Sequence, residues 1–128
     1  MAAPILVIND DHAILELFRL LLEEEGYQVN LSLIAFEDVR EVEKLAPSLI
    51  ILDLKVGRDN QGMLLLQQLR MYRPTMAIPI ILCTAAMQMI REQEETLRLK
   101  GIPVVYKPFD VDELLAVVRQ ALVPLKEE

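Results

Sequence analysis

The chain has 128 residues, 53% of them hydrophobic but only 5% aromatic, so it suits one compact domain, residues 1–128, with an aliphatic core. Its formal net charge of −7 argues against direct binding of nucleic acid through phosphate neutralisation, though not against a metal ion or a protein partner. A lone cysteine, Cys83, excludes an internal disulfide; no basic segment precedes an apolar run at the N-terminus, and no apolar run reaches the ~20 residues a bilayer needs, so a cytoplasmic chain without a membrane partner is expected.

The apolar pattern alternates between two kinds. Pro4 to Asn9 (PILVIN) is a short apolar run that stops at Asp10-Asp11. From Asp11 to Glu25, Ile14, Leu15, Leu17, Phe18, Leu21 and Leu22 recur at helical spacing, and Gly26 supplies the stop. A second strand is expected over Gln28 to Leu33, then a short helix over Glu37 to Leu45 that ends before Pro47. Ser48 to Asp53 (SLIILD) reads as a third strand, again ending in an aspartate.

Lys55 to Gln61 is a polar loop, followed by a helix over Met63 to Tyr72 with Leu65, Leu66 and Leu69 on one face. The fourth strand runs from Ile78 to Cys83 and is followed by Thr84. Met87 to Lys100 predicts a charged, mostly exposed helix stopped by Gly101. Ile102 to Tyr106 predicts the fifth strand, followed by Lys107-Pro108. Asp110 reads as an N-cap with Glu113 as its capping-box partner, and the last amphipathic helix ends at Pro124.

Five strand–helix units with short connections imply an α/β fold, a (βα)5 doubly wound parallel five-stranded sheet with right-handed crossovers. The short solid runs of Val, Ile and Leu fit strands buried on both faces. In such sheets, ligands bind beyond the carboxyl ends of the strands, where the strand order reverses. With order 2-1-3-4-5, Asp10 and Asp11 after the first strand would neighbour Asp53 after the third, flanked by Thr84 and Lys107.

Crowded carboxylates call for a cation. Two of them ~5 Å apart repel by about 3 kcal/mol at an effective dielectric of ~20. Mg²⁺ suits the place, because it keeps several waters and binds a few carboxylates together with phosphate oxygens. A carboxylate in that setting can attack phosphorus, with Lys107 and the metal stabilising charge on the transferring group and Thr84 donating to a phosphoryl oxygen.

Asp10-Asp11, the Leu-Asp-Leu around Asp53, Thr84-Ala85 and Lys107-Pro108-Phe109 follow one another at the ends of the right elements. On these residues the chain, from Leu6 to Leu122, resembles the receiver domain of bacterial response regulators, which have a flavodoxin-like fold. The resemblance implies that Asp53 accepts a phosphoryl group from a histidine kinase, a phosphotransfer protein or a small donor such as acetyl phosphate. It implies Mg²⁺ held by Asp11 and Asp53, by Asp10 largely through water, and by the Lys55 backbone carbonyl. Thr84 would move toward the phosphoryl group, Lys107 would pair with it, and the Lys107–Pro108 bond would be cis. The domain would not be an enzyme in its own right, although it assists its own phosphorylation and dephosphorylation. Phosphorylation would change the face formed by the fourth helix, fifth strand and fifth helix, which would engage an output domain or target protein or pair two copies as a homodimer.

Three features depart from that family. Val104 occupies the usual place of an aromatic, and Tyr106 instead precedes Lys107, on the opposite strand face from it. The loop after Asp53 has Gly57 where a proline is usual, and Gly62 falls one residue late, which predicts a longer loop. Lys55 and Ala86 hold positions that tend to tune phosphoryl lifetime, and Lys55 could steer a donor or hold the phosphate.

Rival functions are weaker. A haloacid-dehalogenase-type phosphotransferase wants an aspartate where Lys55 stands. A flavodoxin-like nucleotide binder wants a Ser-, Thr- or Gly-rich loop where Asn9-Asp10-Asp11-His12 stands. A receiver-like module that binds proteins or dimerises without phosphorylation is the main alternative. His12 reads as an exposed first-turn residue, Cys83 as a small buried one, and Met71, Met76, Met87 and Met89 as core filling and surface edge.

Overall fold

The computed structural model of the chain describes residues 3–33, 38–54, 61–85 and 88–123. Strands and helices alternate along it: β1 (Pro4–Ile8), α1 (His12–Glu24), β2 (Gln28–Ser32), α2 (Val39–Leu45), β3 (Leu49–Leu52), α3 (Gln61–Met71), β4 (Ile80–Ala85), α4 (Gln88–Leu99), β5 (Val104–Lys107) and α5 (Val111–Ala121). All the strand pairs are parallel, in the order β2-β1-β3-β4-β5.

Strand alternation divides the core in two. Leu6, Ile8, Ile50, Leu52, Ile80 and Leu82 face one side and pack with Val42 of α2, Leu65 and Leu69 of α3, and Ile90 and Leu97 of α4. Ile5, Val7, Leu49, Ile51, Ile81, Cys83 and Val105 face the other side and pack with Leu15, Phe18 and Leu22 of α1 and Leu114 and Val118 of α5. The continuous apolar runs are therefore strands covered on both faces, as their composition implies.

Local chemistry fixes the element ends. Asp11 caps α1 by accepting from the amides of Ala13 and Ile14, and Gly26 takes a φ of +93° after the helix. Asp38 caps α2, one residue inside the expected start; Glu37 lies outside the described residues. Asp110 caps α5 through the Asp112 amide rather than the third-position amide of a capping box. The fourth and fifth strands begin later than the sequence pattern suggests, after Pro79 and Pro103, which have no amide hydrogen to give a ladder. They also run further, because the β4–β5 pairing continues through Thr84↔Tyr106 and Ala85↔Lys107. Thr84 and Lys107 thus belong to their strands rather than following them.

Met71 and Met76 are exposed and belong to the surface edge; Met87 and the Met89 side chain lie outside what is described. His12 is exposed in the first turn of α1, as expected. Among the described residues, no helix is long and apolar enough to cross a membrane.

Phe18 is 1% exposed and meets Phe109 at a ring separation of 5.5 Å, which ties α1 to the segment after β5. Phe18→Ala is expected to lower unfolding free energy by about 3–5 kcal/mol. Leu20→Ala, on the exposed face of the same helix, should change it by no more than about 0.5 kcal/mol. Chemical denaturation of both variants checks the contrast.

Candidate functional site

Four buried residues are polar or charged among those described: Asn9, Asp53, Thr75 and Thr84. Thr75 is satisfied locally, donating to the carbonyls of Leu69 and Tyr72. The other three gather where β1, β3 and β4 end. Ile8 and Leu52 are the last paired residues of β1 and β3, so Asn9 and Asp53 emerge side by side, and the Asp53 amide still donates to the Ile8 carbonyl.

Asp53 is 5% exposed. Its Oδ2 accepts from Lys107 Nζ at 2.8 Å and from Asn9 Nδ2 at 3.3 Å. A buried carboxylate needs such donors, since ionisation in an apolar setting without partners is very costly. The Lys107–Pro108 peptide is cis, as expected.

Thr84 is fully buried, and its hydroxyl finds no hydrogen-bond partner among the described residues. Buried hydroxyls are normally satisfied, which sets this one apart among the described residues. Burial pushes the neighbouring Cys83 thiol up to about 12, against the pull of the Lys107 charge, so it stays protonated at neutral pH. That fits the reading of Cys83 as a small core residue.

Asp10 and Asp11 lie on the exposed rim after β1. The Asp11 carboxylate already caps α1. No group of three or more His, Cys, Asp or Glu residues is close enough to hold a metal ion among the described residues. The expected trio of Asp10, Asp11 and Asp53 is therefore not drawn into a tight cage. The Lys55 carbonyl, the Gly57 loop and Ala86 lie outside the described residues. The donor chemistry nonetheless fits Mg²⁺. All the expected ligands are hard oxygens, and this ion is held by one or two carboxylates with its remaining positions on water and phosphate.

Two residues take roles in the site that the sequence analysis does not assign them. Asn9 bridges it: its Oδ1 accepts from the Asp11 amide at 2.9 Å while its Nδ2 donates to Asp53. The available signal was a lone amide at the end of an otherwise apolar strand. Gly62 is the second. A Cβ there would lie 2.5 Å from the carbonyl oxygen of Leu54, the residue directly after Asp53. This glycine lets the start of α3 press on the backbone that carries the aspartate.

Tyr106 lies on the opposite strand face from Lys107, as alternation requires, and packs with Val104 on the α4 side of the sheet. Its hydroxyl donates to Glu94 Oε1 at 2.8 Å, and the Arg91 guanidinium lies 5.2 Å from its ring centroid. That hydrogen bond holds the Glu94 carboxyl below its ordinary range, while burial pushes the Tyr106 phenol up. The charged run on α4 is thus partly a solvated face, with Glu94 paired to Arg98, and partly a strap over β5.

The family model described as "Response regulator receiver domain" matches residues 5–119. The chain belongs to the response regulator receiver domain family. This receiver domain is 30% identical to sporulation initiation phosphotransferase F of Bacillus subtilis, over 98% of both chains. It is 36% identical to the DNA-binding dual master transcriptional regulator RpaA of Synechocystis over 92% of its own length, but it spans only 48% of that relative. Among solved structures, the signal receiver domain of a signal transduction histidine kinase from Syntrophus aciditrophicus superposes with a TM-score of 0.83 at 28% identity, covering 99% of this chain and 95% of the other. A CheY-like response regulator receiver domain protein from Methanospirillum hungatei gives 0.79 at 27% identity, covering 95% and 94%. The receiver fold and its strand order are therefore those the resemblance implied.

Gly62→Ala sets two effects against each other. Alanine is the better helix former by about 1 kcal/mol, but its methyl would collide with backbone that has no rotamer to change. The collision should win, lowering unfolding free energy by about 1–3 kcal/mol. A neutral or stabilised variant in chemical denaturation would show that α3 does not bear on Leu54 as described.

Proposed function

We propose that this receiver domain takes a phosphoryl group on Asp53 in a Mg²⁺-dependent reaction and passes the change to a protein partner or output domain. The observation that carries the reading is the pairing of buried Asp53 with Lys107 at the strand ends, with a buried Thr84 hydroxyl on the intervening strand that finds no partner among the described residues.

In the proposed reaction an Asp53 oxygen attacks phosphorus. The bond from phosphorus to a histidine nitrogen of a kinase or phosphotransfer protein breaks, and its electron pair stays on the imidazole. With acetyl phosphate the leaving group is acetate. Lys107 has a flexible stem and moves its hydrogen bond from the carboxylate to a phosphoryl oxygen. Thr84 donates to another oxygen, which satisfies its hydroxyl. When bound, Mg²⁺ supplies charge neutralisation and orientation for the phosphoryl oxygens, held by Asp11, Asp53, the Lys55 carbonyl and, through water, Asp10.

The output route follows from register. Thr84 is the cross-strand partner of Tyr106, and Tyr106 is bonded to Glu94 of α4. A shift at Thr84 would bear on that strap and change the face formed by α4, β5 and α5, where an output domain, a target protein or a second copy would dock. RpaA is described as DNA-binding, and the chain matches under half of it. The charge of −7 argues against direct contact of this segment with DNA. A cytoplasmic location goes with this role.

A second reading, a receiver that acts without phosphorylation, draws on the Asp11 carboxylate being engaged as a helix cap. Intact mass after incubation with acetyl phosphate and Mg²⁺ separates the two. A single phosphoryl adduct that needs Mg²⁺ and is absent from Asp53→Asn is expected. A folded wild type that takes no phosphoryl group from acetyl phosphate or from active histidine kinases would favour the second reading.

A further inference from the structure

Asn9 is 2% exposed, and its backbone N–H and both ends of its side-chain amide are hydrogen-bonded. Its amide nitrogen donates to the Ser32 carbonyl at 3.0 Å, which holds the residue in line with β1 and β2. Its side-chain oxygen faces the Asp11 N–H, and this contact fixes which way the amide points. The Nδ2 group is thereby aimed at Asp53 Oδ2, the same oxygen that Lys107 holds.

We propose that Asn9 shortens the time a phosphoryl group stays on Asp53, an inference that rests on the phosphoacceptor reading above. An ionised carboxylate accepts a stronger hydrogen bond than a neutral carbonyl. Phosphorylation turns the Asp53 carboxylate into a mixed anhydride. One oxygen bonds to phosphorus, the other becomes a carbonyl, and the negative charge is carried out onto the phosphoryl group. Lys107 can follow that charge. Asn9, short and tied at both ends of its amide, cannot. Its bond therefore favours the free carboxylate over the phosphorylated one.

Hydrolysis returns that charge to Asp53. A water oxygen attacks phosphorus, the bond from phosphorus to the Asp53 oxygen breaks, and its electron pair goes back to the carboxylate. Inorganic phosphate leaves, and the proton of the water passes to solvent. Asn9 stabilises the carboxylate charge as it develops, so it speeds this step. In the forward direction the same bond stabilises the reactant, so it slows phosphorylation or leaves it unchanged. A merely structural Asn9 would act differently. Its loss would loosen Asp53 and lower both rates together.

Two variants separate these cases. Asn9→Val removes the donor and the acceptor and suits the end of a strand. Asn9→Asp keeps an acceptor for the Asp11 N–H but removes the donor to Asp53. Phosphorylation by acetyl phosphate at saturating Mg²⁺, and loss of the adduct after the donor is removed, are followed by intact mass. For a long bond to a charged acceptor, loss is expected to slow roughly three- to tenfold in Asn9→Val, and at least as much in Asn9→Asp, with phosphorylation as fast as wild type or faster. An unchanged loss rate, a fall in both rates together, or slowing confined to Asn9→Val would overturn the proposal while leaving the phosphoacceptor reading intact. A wild type that takes no phosphoryl group would sink both, and that failure is visible before any variant is made.

Discussion

The site depends on keeping a carboxylate charged where the sheet leaves it almost no water. Asp53 emerges at the end of a strand whose four residues are all buried, so its side chain starts inside the protein rather than at the surface. Lys107, two strands away, reaches back to it at 2.8 Å. Lysine itself remains 23% exposed, which lets its charge keep some hydration while it neutralises its partner. The pair joins the ends of β3 and β5 across β4, the strand that carries Thr84.

The same sheet explains why Asn9, Asp53 and Thr84 collect there, while Thr75, the other buried polar residue among those described, is satisfied by the carbonyls of Leu69 and Tyr72. Five parallel strands covered on both faces have no polar face to offer, so polar residues are confined to the ends. Order β2-β1-β3-β4-β5 sends the connections after β1 and β3 to opposite faces, which opens a crevice between them. Asn9 and Asp53 occupy its floor, and Asp10 and Asp11 its rim. A chemically active group at this point can therefore be buried enough to be controlled and still meet a ligand from outside.

Much of this was legible in the sequence, because two periodicities and a few end residues carry it. Apolar runs such as SLIILD and IPIILC give the strands. The helical spacing of Leu15, Phe18 and Leu22 gives α1, and Asp11 and Asp110 mark helix starts by their capping chemistry. Asp53, Thr84 and Lys107 could be placed near one another because each ends a strand. What stayed hidden depends on three-dimensional register. That β4 and β5 keep pairing through Ala85 and Lys107 is a cross-strand fact with no local signal. The close approach of Gly62 to Leu54 joins two segments whose separation along the chain gives no hint of contact. Asn9 sits beside an acidic pair with the stronger chemical signal, yet a buried amide must find partners, and here those partners are the site itself. Asp11, expected as a metal ligand, also caps α1, and no group of three or more His, Cys, Asp or Glu residues is close enough to hold a metal ion among the described residues.

The central claim is that Lys107 makes the burial of a charged Asp53 tolerable. A double-mutant cycle on unfolding free energy tests it, using Lys107→Met, Asp53→Asn and the double variant. If the pair is as described, Lys107→Met destabilises the wild type by about 1–3 kcal/mol more than it destabilises Asp53→Asn, because only the first leaves a buried carboxylate without its cation. Equal effects in the two backgrounds would contradict the account, and Lys107 would then be a solvated strand-end residue whose contact with Asp53 contributes nothing.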